Sequence, residues 1–590
     1  MKKQILIFIA FLISLGVYAQ EEISLEPLRT QQKDQKSQPT LDEAFYITNI
    51  PESGEYRLSS LSQKERDKLN AETKPPTIGV VRKLENPINL DYEDFNPNSA
   101  NQNEARKVIG DSVLVLTYYI ESPEAKSIKI NIEKQSNIPP NINFFIYNKD
   151  KQFFGPYKPS KVDEDGYWTP ALSSNHAYFQ IRIPVNTKLP KDVSVKVNKI
   201  SHIKVSLKEK TLNLKALKSL SCYEDVNCSL ANDYSNINYL KKSVALFEST
   251  YGGTTKIGSG ALLNNMNKDG QPLFLTANHV INSDGAAENS TFYFDYRTTS
   301  CNSGSHSTTV RNGANLLSTG EETDYTLLLI GGDEKLEDRT YLGMTTEDVS
   351  TGDILHSVGH PEGKKQKYIK LKSKTYATTC TPSGSLDGWS FSEHHYAKVL
   401  AGAPNSGASG SPLVRNDGKV VGQYRGRCAT FTNVDLCDYS SYKTVWGEME
   451  DTYPHISKWI EGNAKAGISA NPTSWDFGTI QDDDTKSKTF TFENTYSNGL
   501  NLDIYNIKIT GTHSDQFSKD NSSLYIQPDE SDQILVEFQP TSGGTKNATL
   551  EIYHNGSNTS SPLEIPLSGT EEEYIDISNC PTSNMNSSSG

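Results

Sequence analysis

The chain has 590 residues and a formal net charge of -14 at pH 7. Its length exceeds what one hydrophobic core supports, so we expect several domains. The acidic balance argues against nucleic-acid binding, which needs clustered lysine and arginine to neutralise phosphates. Abundant Tyr, Thr, Ser, Asn and Gly predict a mainly β fold.

The first 19 residues have the pattern of a secretory signal peptide. Lys2 and Lys3 precede an apolar run over residues 5–17, and the small residue Ala19 marks the expected cleavage site. The run is too short to cross a bilayer core of about 30 Å, and no later stretch resembles a spanning segment. We therefore expect a secreted protein without a membrane span.

The next region, residues 20–218, divides into three predicted parts. Residues 20–105 are charged and rich in turns, and we expect their first third to be flexible. From about residue 106, short alternating runs separated by Pro and Gly predict a β-sandwich that ends near residue 205. The lysine-rich residues 204–218 predict an exposed processing site.

Two further domains are predicted after this linker. Residues 219–463 contain all the chemical motifs and end in a stretch, residues 455–460, with apolar residues at helical spacing. Residues 466–570 alternate strictly between apolar and polar side chains, with turns every 8 to 12 residues, as in an immunoglobulin-like sandwich. We expect residues 571–590 to be a disordered tail.

The strongest motif is a Gly-Ala-Ser-Gly-Ser-Pro turn at residues 407–412. Such a turn directs the backbone N–H groups of Gly407 and Ser409 to one point beside the serine hydroxyl. We therefore predict an oxyanion hole from these two amides and a nucleophile at Ser409. Alone, the same residues also fit an ordinary Gly/Ser surface loop.

Two earlier residues complete a predicted catalytic set. His279 ends an apolar strand, residues 274–279, where an imidazole could take the serine proton and return it to a leaving amine. Asp324 stands directly before the apolar run 325–330, so its carboxylate would be buried and would need a partner such as the imidazole N–H. The order His, Asp, Ser is that of the chymotrypsin-like serine proteases.

The region from Cys222 to about Trp446 resembles the bacterial lysyl endopeptidases, a secreted branch of the trypsin-like family. Seven ordered segments carry this resemblance: residues 221–228, 258–265, 276–279, 324–328, 359–361, 407–412 and 422–426. It implies two β-barrels, a triad of His279, Asp324 and Ser409, and an oxyanion hole at Gly407 and Ser409. It also implies that residues 20–218 are a prosegment, removed by cleavage near Lys218.

The substrate pocket departs from this family. Arg425 replaces a histidine of the family's aromatic pair, and Trp389 matches the other member. The family's pocket aspartate aligns with Ser440, while Asp438 lies two residues earlier. We assign Asp438, Ser440, Gly426, Arg425 and Trp389 to substrate binding. A lysine or arginine preference follows if Asp438 enters the pocket, and a preference for uncharged side chains follows if it points to solvent.

Six of the seven cysteines fall within residues 222–437, which in an exported protein indicates disulfides. The family resemblance pairs Cys228 with Cys301. It pairs Cys222 with either Cys428 or Cys437, and the remaining one of these with Cys380. Cys580 would stay unpaired.

Other motifs favour structural interpretations. His356 and His360 have zinc-like spacing, but Gly359 and Pro361 break a helix there, so we predict no metal site. Residues 163–166 fit an acidic turn better than a calcium loop. We expect no cofactor, and we expect protein or peptide substrates.

Residues 466–570 resemble choice-of-anchor and HYDIN-type modules. This resemblance implies a spacer or a module that binds a cell surface or polymer. The alternative function is a catalytically inactive, protease-like binding protein.

Overall fold

The structure is a computed structural model that describes most of the chain between residues 22 and 572. The described ranges are 22–30, 42–71, 75–97, 105–110, 112–134, 141–157, 166–205, 222–331, 336–375, 393–429, 435–462, 465–481, 484–496, 502–521, 523–526 and 529–572, with the single residues 73, 99, 138, 139 and 500. The predicted signal peptide and most of the predicted tail lie outside these residues. Among the helices in these ranges, none combines the length and hydrophobicity needed to span a bilayer.

We refer to four parts of the molecule: the N-terminal segment (residues 22–30), the N-terminal sandwich (42–205), the central region (222–462) and the C-terminal sandwich (465–572). The N-terminal segment contains one strand, β1 (Leu28–Arg29), which pairs with a strand of the central region. The prediction of a flexible start is therefore wrong for residues 22–30. Its pairing partner lies more than 300 residues away, which no local pattern reveals.

The N-terminal sandwich packs two sheets around one apolar core. One sheet has the strand order β2-β5-β10-β7-β8, with β4 beside β5. The second sheet of the sandwich has the order β3-β11-β6-β9 and is one end of an 11-stranded sheet. Its elements are β2 (Glu55–Arg57), α1 (Gln63–Asn70), β3 (Thr77–Leu90), α2 (Tyr92–Phe95), β4 (Arg106–Ile109), β5 (Val113–Glu121), β6 (Ser127–Lys134), β7 (Asn143–Tyr147), β8 (Phe153–Tyr157), β9 (Tyr167–Trp168), β10 (His176–Pro184) and β11 (Val195–Ile203), with short 3-10 helices at Glu43–Phe45 and Glu52–Gly54.

The sandwich begins earlier than the predicted residue 106, because β2 and β3 already belong to it. The charged, turn-rich composition of residues 20–105 predicted no strand where β3 lies, and β3 also contains Pro87, which central strands rarely hold. In the structure, Pro87 falls at an irregularity in the pairing of β3 with β11, where the register shifts between Val197 and Lys199.

The central region contains two barrel-like sheets with a shared core between them. The mainly β, two-barrel architecture predicted from the sequence is confirmed. Its elements are β12 (Glu224–Asp225), α3 (Ser229–Asn232), α4 (Ile237–Ser243), β13 (Val244–Tyr251), β14 (Thr254–Leu263), β15 (Leu273–Ala277), α5 (Asp284–Glu288), β16 (Ser290–Phe294), β17 (Thr309–Asn312), β18 (Ala314–Gly320), β19 (Tyr325–Ile330), β20 (Thr340–Tyr341), β21 (Ile354–Gly359), β22 (Lys367–Ser373), β23 (His394–Ala401), β24 (Pro412–Val414), β25 (Val420–Ala429), β26 (Tyr442–Glu448) and α6 (Met449–Ile460), with a 3-10 turn at Pro361–Gly363.

The closing helix α6 covers the predicted helical stretch and starts six residues earlier. Met449, Tyr453, Ile456 and Ile460 recur three or four positions apart and are all buried in the shared core. This spacing puts their side chains on one face of the helix, which explains why it packs against the barrels.

The N-terminal sandwich and the central region share one continuous sheet. Strand β3 pairs with β14, with Val80 opposite Thr254 and Gly79 opposite Thr255. A small apolar cluster draws residues from both parts: Ile78, Ala171, Ile203, Val205, Leu246, Ile257, Tyr293 and Tyr296.

The C-terminal sandwich has its own core between sheets of order β27-β29-β33-β31 and β28-β35-β34-β30-β32. Alternating apolar residues face this core, as the sequence pattern predicted. Its strands are β27 (Ser469–Asn471), β28 (Trp475–Ile480), β29 (Lys486–Glu493), β30 (Leu502–Thr510), β31 (Phe517–Lys519), β32 (Leu524–Ile526), β33 (Ser531–Phe538), β34 (Gly544–His554) and β35 (Leu563–Glu571), with a 3-10 turn at Ser514–Gln516.

Candidate active site

Ser409 lies in a tight turn just before β24. Gly407 and Gly410 on either side have φ angles of +93° and +83°, which L side chains rarely adopt. A Cβ on Gly410 would lie 2.3 Å from both the Ser259 carbonyl oxygen and the Thr276 hydroxyl. Glycine is therefore required at this position by backbone conformation and by space.

Ser259 of β14 anchors this turn from the other barrel. Its amide donates to the Ser409 carbonyl at 2.8 Å, and its hydroxyl donates to the Gly407 carbonyl at 2.8 Å. With these carbonyls held, the turn is fixed in one orientation. Among the described residues, no acceptor pairs with the amides of Gly407 or Ser409, so both donors remain available to a ligand.

His279 follows the end of β15 and lies between Asp324 and Ser409. Its Nδ1 is 2.7 Å from Asp324 Oδ2, and its Nε2 is 2.8 Å from Ser409 Oγ. Its backbone amide also donates to Asp324 Oδ1 at 2.9 Å. Both carboxylate oxygens thus hold the same histidine, one through its ring and one through its backbone.

Asp324 is buried, with 4% of its side chain exposed, and its φ angle is +61°. This unusual backbone conformation persists because the preceding loop is held from several sides. Gln423 donates to the Thr323 carbonyl at 2.8 Å, and the Thr323 hydroxyl meets the Thr452 hydroxyl at 2.8 Å. A Cβ on Gly447 would lie 1.9 Å from the Thr323 carbonyl oxygen.

Arg425 also holds this loop. Its guanidinium donates to the Glu321 and Glu322 carbonyls at 2.8 and 2.7 Å and lies 2.9 Å from His394 Nε2. Burial lowers the pKa of Arg425, and the nearby Asp324 carboxylate acts in the opposite direction. The predicted substrate-binding residue is therefore directed at the loop that carries Asp324.

This hydrogen-bond chain has a defined chemical capacity. When the Nδ1–H group of His279 donates its hydrogen bond to the Asp324 carboxylate, the neutral imidazole has a lone pair on Nε2 that can accept the proton of Ser409. The buried carboxylate then stabilises the imidazolium that results. Gly407 and Ser409 supply two backbone donors beside the same hydroxyl, where negative charge would develop on an attacked carbonyl.

Among the other predicted pocket residues, Asp438 and Ser440 are exposed. The Asp438 carboxylate accepts hydrogen bonds from the amide and hydroxyl of Ser440 at 3.1 and 2.6 Å. These bonds lower the pKa of Asp438. Gly426 lies in β25 opposite Val445, and Trp389 lies outside the described residues.

Two disulfides join parts of the central region. Cys228 pairs with Cys301, as the family resemblance implied. Cys222 pairs with Cys437, which is one of the two alternatives left open. Cys428 is disulfide-bonded as well, and its predicted partner Cys380 lies outside the described residues, as does Cys580.

Several residues that support the site were not among the predicted site residues. Ser259, Gln423 and Thr452 hold the turns of Ser409 and Asp324. Asn405 accepts from Arg427 at 3.3 Å and donates to Glu362 at 2.9 Å beside the Ser409 turn. Ser259 and Gln423 belong to two of the segments that carry the family resemblance, so these segments could have indicated a role for them. The contacts of Thr452 and Asn405 depend on the tertiary fold alone.

The two histidines with zinc-like spacing have structural partners. His356 Nδ1 lies 2.6 Å from the Tyr368 hydroxyl, and its Nε2 lies 2.7 Å from Asn416 Oδ1. His360 is fully buried, which lowers its pKa to about 4. Within the described ranges, no three His, Cys, Asp or Glu residues cluster as metal ligands would.

Two parts of the chain are similar to known protein families. The family model described as lysyl endopeptidase, C-terminal domain, matches residues 217–442, and a model of Cep192 domain 4 matches residues 465–571. A lysyl endopeptidase of Pseudomonas aeruginosa is 24% identical over 345 residues, which cover 56% of this chain and 71% of that protein.

Solved structures of proteases also align with the chain. The active form of the Rv3671c protease of M. tuberculosis is 15% identical, covers 39% of this chain and 87% of its own, and gives a TM-score of 0.29. The VesB protease of Vibrio cholerae is 13% identical, covers 56% and 96%, and gives a TM-score of 0.25.

The matching family model and the sequence relative support the class of protease for this chain. Within that class, the chain is lysyl endopeptidase-like, and the resemblance stated from the motifs is confirmed.

Proposed function

We propose that this chain is a secreted serine endopeptidase made as a precursor, in which Ser409, His279 and Asp324 act as the catalytic triad. The observation that carries this proposal is the continuous hydrogen-bond chain from Asp324 Oδ2 through His279 to Ser409 Oγ, with steps of 2.7 and 2.8 Å. These distances lie within the range needed for proton transfer between a nucleophile and its base.

The proposed reaction has two stages. Ser409 Oγ attacks the peptide carbonyl carbon as His279 Nε2 takes the hydroxyl proton, and the Gly407 and Ser409 amides stabilise the oxyanion. His279 then returns the proton to the departing amine, which leaves an acyl group on Ser409. Water, deprotonated by His279, attacks this ester and releases the acid, and the proton returns to Ser409.

The direct test is to label the matured protein with a serine-directed phosphonate and to measure the activity of Ser409→Ala. We expect labelling at Ser409 and a loss of about 10⁶-fold in kcat, the effect of removing the nucleophile of a cooperative triad. Ser411→Ala is a matched control in the same turn. An unlabelled, inactive and folded wild type would instead support the protease-like binding protein.

We propose that the precursor is exported by residues 1–19 and matured by cleavage near Lys218. The support is the signal-peptide pattern, the lysine-rich linker at residues 204–218 and the family resemblance. N-terminal sequencing of the secreted, active protein tests this directly. We expect a start near Ser219, and an active enzyme with residues 42–205 still covalently joined would contradict the cleavage.

For specificity, we propose cleavage after lysine or arginine, with Asp438 as the acidic group. Because Asp438 is exposed and bonded to Ser440, those bonds would have to open for it to meet a substrate cation. Profiling on a peptide library should show a basic preference that is lost in Asp438→Asn and kept in the control Asp435→Asn. A basic preference that survives in Asp438→Asn excludes this residue, and cleavage mainly after apolar residues refutes the basic preference.

We propose that the C-terminal sandwich binds a cell-surface polymer. The support is an aromatic outer face, where Tyr505 and Tyr525 are 50% and 42% exposed and the Tyr505 and Tyr553 rings lie 6.4 Å apart. Exposed aromatic faces stack on other planar or apolar surfaces. Co-sedimentation with insoluble cell-wall polysaccharide should fall in Tyr505→Ser/Tyr525→Ser, and no sedimentation of the wild type would refute the proposal.

A further inference from the structure

The N-terminal segment forms an additional strand along one edge of the central region. Its backbone pairs with residues 339–346: the Leu25 amide donates to the Met344 carbonyl at 2.8 Å, and the Thr346 amide donates to the Ile23 carbonyl at 3.0 Å. Further along, Leu28 lies opposite Tyr341 and Arg29 opposite Thr340. The two strands form a sheet of two, and single bridges from Leu342 to Leu263 and from Met344 to Val420 tie the receiving segment to the central region. This is β-augmentation, in which an extended peptide pairs with the exposed backbone of a strand.

The apolar side chains of this segment face the protein. Leu25 is 8% exposed and belongs to the shared core of the central region, and Ile23 packs against the same core. Gly343 permits the close approach, because a Cβ there would lie 2.0 Å from the Leu25 carbonyl oxygen. The receiving edge is therefore shaped to accept this segment.

Polar contacts fix the register of the segment. Lys419 contacts the Ser24 hydroxyl at 2.8 Å and the Glu26 carboxylate at 2.7 Å, and Asn264 donates to the Glu26 carbonyl at 2.9 Å. The Thr30 hydroxyl donates to the Leu336 carbonyl at 3.0 Å. Every partner of the segment named above belongs to the central region.

The chain that follows attaches to a different surface. Tyr46 donates to the Lys149 carbonyl at 2.8 Å, and Tyr147 donates to the Ile47 carbonyl at 2.7 Å, both within the N-terminal sandwich. The predicted removable prosegment thus has two parts with separate attachments. The contacts of residues 22–30 named above all lie outside the linker around Lys218, so cleavage there leaves them in place.

We propose that residues 22–30 are a permanent strand of the central region, which stays bound as a separate peptide after the chain is cut before Ser219. Cleavage of the secreted precursor before Ser219 rests on the proposed function. The binding of residues 22–30 to the central region does not depend on it. The site for this peptide is the edge formed by residues 339–346 with Asn264 and Lys419. Loss of the segment would expose that edge and the core side chains beneath Leu25.

The test separates binding from catalysis by using the Ser409→Ala chain. Recognition sequences for an added, sequence-specific protease are inserted within residues 31–41 and within residues 206–221, and both are cut under native conditions. Native mass spectrometry should then find the peptide bearing residues 22–30 on the central region, at near one copy each. A folded central region without this peptide would overturn the proposal.

Two variants within the peptide sharpen the test, because they leave the sequence of the central region unchanged. Leu25→Ser should weaken retention at least about 10-fold, the effect of returning a leucine side chain to water. Glu22→Ser changes an exposed residue and should retain the peptide. Equal retention of both variants would contradict the proposed binding mode. In the wild-type secreted enzyme, a prosegment fragment that contains residues 22–30 should copurify with the active chain.

Discussion

The two β-sandwiches of this chain attach to the central region in different ways. The N-terminal sandwich shares a sheet with it through β3 and β14, shares an apolar cluster, and contributes Lys129 to a buried ion pair with Glu248. The C-terminal sandwich has a separate core and meets the shared core through the partly buried Leu500. The two sandwiches therefore have similar folds, but the N-terminal sandwich has much more extensive contacts with the central region.

A domain that is recognised by its shape does not always unfold independently of its neighbours, and the two sandwiches differ in this respect. A continuous sheet and a buried charge pair make the N-terminal sandwich and the first barrel dependent on each other, because separating them leaves both surfaces unsatisfied. Domains joined by small contacts behave instead as independently folding modules. We therefore expect the same kind of change to have unequal effects in the two sandwiches.

The largest effect is expected from deletion. Removing residues 42–205 should reduce the yield of folded, secreted protein by an order of magnitude or more, since it exposes the edge of β14 and the buried Glu248. Removing residues 465–590 should change the yield less than about 2-fold, because that core is separate. The measurement is secreted yield with the unfolding temperature of the central region. Equal losses from both deletions would contradict the comparison.

A smaller effect is expected from single ion-pair changes. The Lys129 and Glu248 side chains are 0% and 3% exposed and lie 3.3 Å apart, and burial lowers the pKa of Lys129 while Glu248 opposes that shift. Lys129→Met would leave the buried Glu248 carboxylate without its cation and with the Tyr293 hydroxyl as its remaining donor, at a cost of about 3 to 5 kcal/mol in the free energy of unfolding. Urea unfolding of the Ser409→Ala precursor measures this cost.

The matched control is the exposed pair of Lys188 with Glu537, which joins the two sandwiches at 3.5 Å with side chains 84% and 31% exposed. Lys188→Met should cost less than about 1 kcal/mol, as exposed pairs do. Lys129→Met/Glu248→Gln should recover part of the stability lost in Lys129→Met, because no unpaired charge remains. If the two single changes cost the same, the buried pair does not couple the two parts.

Local patterns predicted the elements that position the proposed triad. The run after Asp324 forms β19, His279 follows β15, and the three side chains chosen from the sequence meet in space. Each of these motifs consists of consecutive residues whose apolar run or glycine turn is visible locally. The sequence could not give the loop contacts from Gln423 and Thr452, which come from distant strands and helices.

Long-range pairings were the main source of error. Residues 22–30 have a composition that favours flexibility, yet they pair with a strand edge over 300 residues away. The role of Asp438 in the pocket stays a prediction: its carboxylate accepts a hydrogen bond from the hydroxyl of its neighbour Ser440, and its side chain is exposed. The choice of Cys437 over Cys428 as partner of Cys222 depends on the loop that contains Asp438.

An effect smaller than that of Lys129→Met is expected from pH, and it also lies in the tightly coupled N-terminal sandwich. His202 of β11 is 2% exposed, with its Nδ1 2.9 Å from the Ser122 hydroxyl. Burial lowers the pKa of His202 to about 4, the Arg82 cation adds to this shift, and Glu124 and Glu65 oppose it. In the unfolded chain a histidine has a pKa of about 6.5. Between these values the folded state binds fewer protons than the unfolded state, so protonation favours unfolding.

The contribution of His202 to stability is therefore complete above pH 6.5, decreases as the pH falls towards 4, and changes no further below that. At pH 5 the loss in the free energy of unfolding is about 2 kcal/mol.

Urea unfolding of the Ser409→Ala precursor at pH 7.5 and pH 5 measures this loss. His202→Gln should reduce the difference between the two pH values by this amount, while His306→Gln, in a loop of the central region, should leave it unchanged. A pH dependence that His202→Gln does not alter would assign the acid sensitivity to other groups and would remove this histidine from the coupling of the two parts.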